Sequence, residues 1–380
     1  MGKKYIIPEG TRDLVLGECA IKKKLQIDIE ELLDKWGYKE VVTPTIEFYE
    51  TFNCGFQNLK EEEVYKFFDN KGKILVLRPD MTIPIARVVA TKFKDIPGPI
   101  RFRYSSNVYR VHESLGGKKN EYTDCGVELI GAEDKCSDLE ILLTALDVLK
   151  ALEVRQYKLE IGNINFFNSV IKDLGLEEEE KLELAELIDR KSLKELDEYL
   201  DFLDVAEVYK EFFKKVPWLF GGKEVLEEGK NYCFNDEIKN SIEYLERLSK
   251  VLDELGYGEM VTYDLGMVPR LDYYTGIIFR GYVGGVGATV LSGGRYDNLI
   301  SYFGENRKAV GFSINLDSVL DIMKNKKIVD KQSYKLHYEE KFQVEAFKKA
   351  EELRKQGFIV NMICDSNQDE INVQEAGNNR

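Results

Sequence analysis

Two long strand patterns, Ile100 to Val111 and Tyr122 to Ile130, are separated only by the polar, glycine-containing run 112–121. That spacing limits the fold more than any other feature of the chain. Parallel neighbours need a crossover of about a dozen residues or more, usually a helix, whereas antiparallel neighbours need only a turn. A second tight pair, Tyr65 to Asp69 and Ile74 to Leu77, is turned by Asn70-Lys71-Gly72. Strands joined in this way argue against a doubly wound parallel sheet and predict an α+β fold on an antiparallel or mixed sheet.

Helical patterns flank these strands. Residues 17–36 place Ile21, Leu25, Ile29, Leu32, Leu33 and Trp36 on one face, and Gly37 stops the helix. Tyr38 to Val42 reads as a strand ended by Thr43-Pro44, and Ile85 to Lys94 as a helix with Pro84 in its first turn. Ser137 to Leu152 is a long helix, followed by the short strand Lys158 to Ile161. From about residue 162 to 256 the chain turns rich in Leu, Glu and Lys, which predicts a mostly helical insertion with solvated acidic faces. Strand patterns resume at Val261 to Asp264, Gly276 to Tyr282, Ala288 to Leu291 and Ala309 to Ile314, and a helix begins near Leu316. The expected division is a core over residues 1–325 and a short remnant over 326–380. That remnant holds one helix, Glu339 to Gln356, and one strand, Phe358 to Ile363.

Charge and cysteine usage narrow the functional classes. Lys and Arg number 54 against 68 Asp and Glu, a formal charge of −14. A chain this acidic is ill-suited to releasing counterions from a polyanion. Six cysteines (Cys19, Cys54, Cys125, Cys136, Cys233 and Cys364) form no C-x-x-C pair, so they read as free thiols of a reducing cytoplasm. The amino end has no apolar stretch of signal-peptide length, and Ile6 breaks the myristoylation pattern. Apolar runs such as Ile74 to Leu77 are far short of a membrane span. A cytoplasmic protein with no membrane partner is expected.

The common catalytic fingerprints fail. Gly284-Gly-Val-Gly-Ala-Thr289 lacks the last glycine of a dinucleotide loop and precedes a strand, and no Walker lysine follows a glycine-rich turn. With His112 and His337 as the two histidines, a histidine-based metal site or a Ser-His-Asp system has little material. Neither a metal nor a cofactor is expected. Five segments hold more chemistry. Ile6 to Leu14 is a polar entry to the first helix; Leu77-Arg-Pro-Asp-Met-Thr82 puts an acid and a hydroxyl where a strand yields to a helix. Asp124, Gly126 and Glu128 share one face of a strand, and an acidic stripe there wants a cationic partner. Leu271-Asp-Tyr-Tyr-Thr-Gly276 and Leu291-Ser-Gly-Gly-Arg-Tyr-Asp297 add aromatics, glycines and an arginine. Each alone reads as a turn or a packed tyrosine.

In this order Pro8-Glu-Gly-Thr-Arg-Asp13, the Pro44 segment, Leu77 to Thr82, Leu271 to Gly276 and Ser292 to Asp297 resemble the catalytic core of histidyl-tRNA synthetase, over about residues 5–325. The resemblance implies a class II aminoacyl-tRNA synthetase-like antiparallel sheet flanked by helices, a helical insertion, a short α/β C-terminal remnant and a self-dimer through the motif 1 region. It also implies a histidine pocket: Asp80, Thr82 and Glu128 around the α-ammonium, and Tyr273, Tyr274 and Tyr296 around the imidazole, with Arg110, Arg295 and Gly293 beside them.

The chain departs from the synthetase where ATP is handled. Arg110 matches the motif 2 arginine, but His112 or Glu113 falls where the next acid belongs. In Gly311-Phe-Ser-Ile-Asn-Leu-Asp-Ser318 the motif 3 arginine is replaced, and Arg270 is displaced by one position. Losing one such charge-stabilising donor typically costs on the order of a hundred- to a thousandfold in rate. The anticodon-binding domain of the synthetases is considerably longer than residues 327–380. A histidine pocket without these parts is similar to the family of regulatory subunits of short-form ATP phosphoribosyltransferase. That similarity implies no catalytic residues, a hetero-oligomer with the catalytic subunit, histidine as feedback ligand and no tRNA. An active histidyl-tRNA synthetase and a stand-alone binding module are the alternatives.

Overall fold

The computed structural model describes residues 6–53, 61–112, 119–132, 134–268, 273–323, 332–366 and 369–375. Helix α1 (Leu16–Lys35) buries Leu25, Ile29 and Leu33, which recur at helical spacing. Then come β1 (Lys39–Glu40), β2 (Ile46–Phe48), α2 (Tyr49–Asn53) and the hairpin of β3 (Lys66–Phe68) with β4 (Ile74–Leu77). Helix α3 (Thr82–Lys92) leads into β5 (Ile100–Tyr109), β6 (Glu121–Ile130), α4 (Asp134–Ala151) and β7 (Tyr157–Asn163). The insertion comprises α5 (Asn165–Asp173), α6 (Glu178–Asp189), α7 (Leu193–Phe202), α8 (Glu207–Lys215), β8 (Phe220–Gly221), α9 (Glu224–Gly229) and α10 (Asp236–Glu254). After it run β9 (Val261–Asp264), β10 (Ile277–Val283), β11 (Leu291–Arg295), β12 (Ala309–Asn315) and α11 (Leu316–Met323).

The chain divides into two units, Met1–Asp13 with Lys22–Ile322, and Leu14–Ile21 with Met323–Arg380. In the larger unit nine strands form one sheet in the order β1-β5-β6-β12-β11-β10-β7-β9-β8. The tightly joined pair behaves as its spacing requires: β5 and β6 are antiparallel, with Ile100 opposite Ile130 and Tyr109 opposite Glu121. Every neighbour from β5 through to β7 in that order is antiparallel. Parallel pairs, β1 with β5 and β7 with β9, occur only towards the two edges. The sheet is therefore mixed, with an antiparallel centre. Strands β2, β4 and β3 form a separate antiparallel sheet.

Several elements differ from their sequence patterns. Strand β11 lies at Leu291–Arg295 rather than Ala288 to Leu291. Its glycines weaken the strand signal, yet the packing demands one of them: a Cβ on Gly294 would sit 2.7 Å from the Tyr274 ring. Helix α3 begins three residues early, because Asp80 Oδ1 accepts the Ile83 N–H at 3.0 Å and satisfies a first-turn donor. The insertion is mostly helical, as its composition predicts, and adds the two-residue β8, which pairs with β9 at the sheet edge.

The smaller unit contains β13 (Ser333–Tyr338), α12 (Gln343–Lys355), β14 (Ile359–Cys364) and β15 (Asn372–Glu375), with sheet order β14-β13-β15. One helix and one strand were expected there; three strands form, and Leu336, Tyr338, Ala346, Ala350 and Val360 make a small core. The alternation of Tyr334, Leu336 and Tyr338 was a legible strand signal, interrupted by Lys335 and His337. Among the described residues no helix is long and apolar enough to cross a membrane.

A buried ion pair fastens α4 to the sheet. Arg295, at 4% exposure, donates from Nε to Asp138 Oδ1 at 2.9 Å, and its terminal nitrogens reach Ser137 Oγ at 2.6 Å and Asp297 Oδ1 at 3.0 Å. Tyr244 of α10 donates to the other Asp138 oxygen at 2.5 Å. Removing Asp138 takes from Arg295 the more buried of its two carboxylates. Asp138→Ala is therefore expected to lose about 3–5 kcal/mol of stability, read from urea unfolding of the full chain.

Candidate functional site

Residues directly opposed in a sheet point to the same face, and the next residue along each strand points to the other. Glu128 of β6 lies opposite Gly311 of β12, which lies opposite Gly294 of β11. Asp124 and Gly126 share that face of β6, and Gly126 is opposed by Tyr104 of β5 and Ser313 of β12. This face carries the candidate site. At Gly311 a Cβ would collide with the Glu128 carboxyl, so the absence of a side chain there leaves room for it.

Most of the residues singled out from the sequence converge here. Thr82, the first residue of α3, donates to Glu128 Oε1 at 2.8 Å, and the Tyr296 hydroxyl donates to Oε2. Glu128, at 1% exposure, forms the floor of the groove with Tyr296. Asp80, Thr82, Arg110, Tyr273 and Tyr274 are half-buried and make its walls. The rings of Tyr273 and Tyr274 lie 4.8 Å apart, and Tyr273 meets Tyr296 edge-on at 5.8 Å. Arg110 donates from Nε to the Pro79 carbonyl at 2.8 Å, and among the described residues its terminal nitrogens make no hydrogen bond.

Arg295 does not join them. It sits one position beyond Gly294, so strand alternation sends its side chain to the opposite face, into the α4 cluster described above. Arg270, Leu271, Asp272 and Glu113 lie outside the described residues. His112 donates its backbone N–H to Asn120 Oδ1 at 3.1 Å. Three groups that the sequence reading passed over also face the groove: Tyr104, Tyr122 and Ser313. Their signal was the register itself, since Tyr104 and Ser313 oppose Gly126 in the acidic stripe.

Burial dominates the electrostatics. It pushes Glu128 up to about 8, against the opposing pull of hydrogen bonds from Tyr296 and Thr82. It pushes Asp124 up to about 7, although the Arg110 charge and a hydrogen bond to Ser313 favour the carboxylate. Asp80 is raised as well, again by burial first, with Arg110 opposing. A half-open guanidinium beside three carboxyls and several hydroxyls can take a small ligand that carries an ammonium and a carboxylate on one carbon. Tyrosine walls suit a flat side chain on that ligand.

The region after β12 is arranged differently. Asp317 accepts from Arg12 at 3.0 Å, Lys22 at 2.7 Å and the Thr123 N–H at 2.9 Å. Burial opposes its charge, but these donors hold its carboxyl below the usual range. Ser318, in the position where the synthetase resemblance predicts arginine, donates its N–H to Asn315 Oδ1 at 3.0 Å. Tyr296→Phe keeps the ring and removes the hydroxyl from a buried acceptor. It is expected to cost about 1–3 kcal/mol in chemical denaturation with the helical content unchanged.

A family model described as histidyl-tRNA synthetase matches residues 10–319. The ATP phosphoribosyltransferase regulatory subunit of Clostridium kluyveri is 41% identical over 364 residues, covering 94% of this chain and 92% of that one. Its counterpart in Acetivibrio thermocellus is 39% identical over 360 residues, covering 94% and 86%. A crystal structure from Bacillus halodurans, titled an ATP phosphoribosyltransferase regulatory subunit/histidyl-tRNA synthetase, superposes with a TM-score of 0.84 at 30% identity, covering 96% of this chain and 94% of that one. Histidyl-tRNA synthetase from Nostoc sp. PCC 7120, at 18% identity and a TM-score of 0.79 over 97% of this chain and 88% of that one, shares the fold. The chain belongs to the histidyl-tRNA synthetase-like family of ATP phosphoribosyltransferase regulatory subunits.

Proposed function

We propose that this chain is a non-catalytic regulatory subunit of ATP phosphoribosyltransferase. It is required by a catalytic partner that joins ATP to phosphoribosyl pyrophosphate, and it reports histidine to that partner. The observation that carries the histidine reading is the pairing in one groove of an open Arg110 fork with Asp80, Thr82 and Glu128. Arg110 takes the ligand carboxylate, Asp80, Thr82 and Glu128 receive the ammonium, and Tyr273, Tyr274 and Tyr296 enclose the imidazole.

The absence of aminoacylation is part of the same proposal. Adenylate formation needs cations on the phosphates. Ser318 stands at the motif 3 position, while Arg12 and Lys22 are engaged by Asp317. The formal charge of −14 disfavours tRNA. Self-association uses the segment around Thr43-Pro44, where Val42, Ile46 and Phe48 are exposed. The working compartment is the cytoplasm, consistent with free thiols at Cys19, Cys125, Cys136, Cys233 and Cys364.

The test is phosphoribosyl-ATP formation by a purified short-form catalytic subunit, with and without this chain. Stimulation that histidine reverses is the expected result. Glu128→Gln removes a charge-assisted contact, so the histidine concentration for half-reversal should rise about 10- to 100-fold. An unchanged histidine response in that variant would exclude this groove as the sensor. Histidine-dependent pyrophosphate exchange with ATP is expected to be absent; its detection would favour an active histidyl-tRNA synthetase instead.

A further inference from the structure

The groove contains more acid than base. Asp80, Asp124 and Glu128 face it, with Arg110 as the neighbouring cation. Arg110 stabilises charge on Asp80 and Asp124. Glu128 is placed otherwise: among the described residues it makes no ion pair, and both of its oxygens accept from hydroxyls. The groups around it come from every element that packs there. Asp80 and Thr82 lie at the start of α3, Tyr104 on β5 and Asp124 on β6 itself, while Tyr273, Tyr274 and Tyr296 lie beside β10 and β11. The facing position on β12 is Gly311, with no side chain to supply a counter-ion. A carboxylate enclosed by neutral hydroxyls and other acids lacks the cation that would make its charge tolerable.

We propose that the empty groove keeps a proton on Glu128 as a placeholder for a ligand ammonium, and that an arriving amino acid displaces it. This rests on the reading of the groove as an amino-acid site. The step balances simply: the Glu128 carboxylic acid gives its proton to solvent, and the resulting carboxylate pairs with the ligand ammonium. Binding therefore releases a proton and tightens as the pH rises, until Glu128 is ionised in the empty chain. The raised titration of Glu128 agrees with the geometry. The sensor reads histidine and pH together.

Infrared spectroscopy of the full chain decides the first half. The ligand-free protein at pH 6.5 should show the carbonyl stretch of a buried carboxylic acid that is missing from Glu128→Gln. Saturating histidine should remove that band from the wild type. Calorimetry supplies the second half: affinity should tighten about tenfold between pH 6.5 and 7.5, and Glu128→Gln should lose most of that slope, leaving the part due to the imidazole of histidine. A ligand-free protein without the band, or a band that persists under saturating histidine, would overturn the proposal. Failure of the wild type to bind histidine at all would instead remove the amino-acid reading and, with it, displacement by histidine. The ligand-free band alone would still show whether Glu128 holds the proton.

Discussion

A carboxyl with almost no access to water, Glu128, sets the terms for everything around it. An ion in that position costs several kcal/mol unless its partners are supplied. The chain supplies hydroxyls but no cation, which seats the carboxyl without neutralising a charge on it: Thr82 from α3 and Tyr296 from the turn after β11 each donate to one oxygen. These two donors lie 46 and 168 residues away in sequence. Their meeting depends on the antiparallel register of β6, β12 and β11, which places Glu128, Gly311 and Gly294 in one row. A one-residue slip of β6 would turn both acids away from the groove and expose the row behind them.

The parts of this arrangement visible in the sequence were those governed by local rules. The tight β5–β6 connection announced antiparallel pairing, and period two placed Asp124 and Glu128 together. The Asp80 to Thr82 turn was recognisable as a strand-to-helix junction. What escaped were features set by tertiary contact. Strand β11 was misplaced because its glycines, weak strand formers, are there for the Tyr274 ring. The motif resemblance implies Arg295 beside the pocket, yet alternation puts it on the far face against Asp138. In the smaller unit β14 lies where its sequence pattern puts it, whereas β13 and β15, interrupted by polar residues, become evident only from their pairing.

The same sheet treats its two functional halves differently. On the side proposed to take an amino acid, an acceptor-rich groove retains one guanidinium whose terminal nitrogens make no hydrogen bond among the described residues. On the side that the resemblance associates with nucleotide, cations are present but engaged. Arg12 and Lys22 converge on Asp317, and Lys119 Nζ reaches the Asp317 carbonyl at 2.8 Å. A hub of this kind couples the amino-terminal segment and α1 to the start of α11, so these charges hold the core together instead of awaiting phosphate. Neutralised cations are poor electrostatic catalysts, because the charge that would stabilise a transition state is already satisfied in the ground state.

A regulator must do more than bind. On the proposed reading, histidine alters the partner only through a difference in its affinity for active and inhibited assemblies, and a coupling of about 1–3 kcal/mol would be ordinary. The groove is well built for such a difference because its walls come from separate segments: the α3 start, β5, β6, residues 273–274 and the turn after β11. A ligand spanning Arg110, Asp80 and Glu128 binds tightly only when these segments hold one mutual geometry. Loosening any of them weakens binding, and by linkage the bound ligand favours the assembly in which they are held together. The hydroxyl pair on Glu128 keeps the floor in place before the ligand arrives, so the energy of binding goes into fixing the walls.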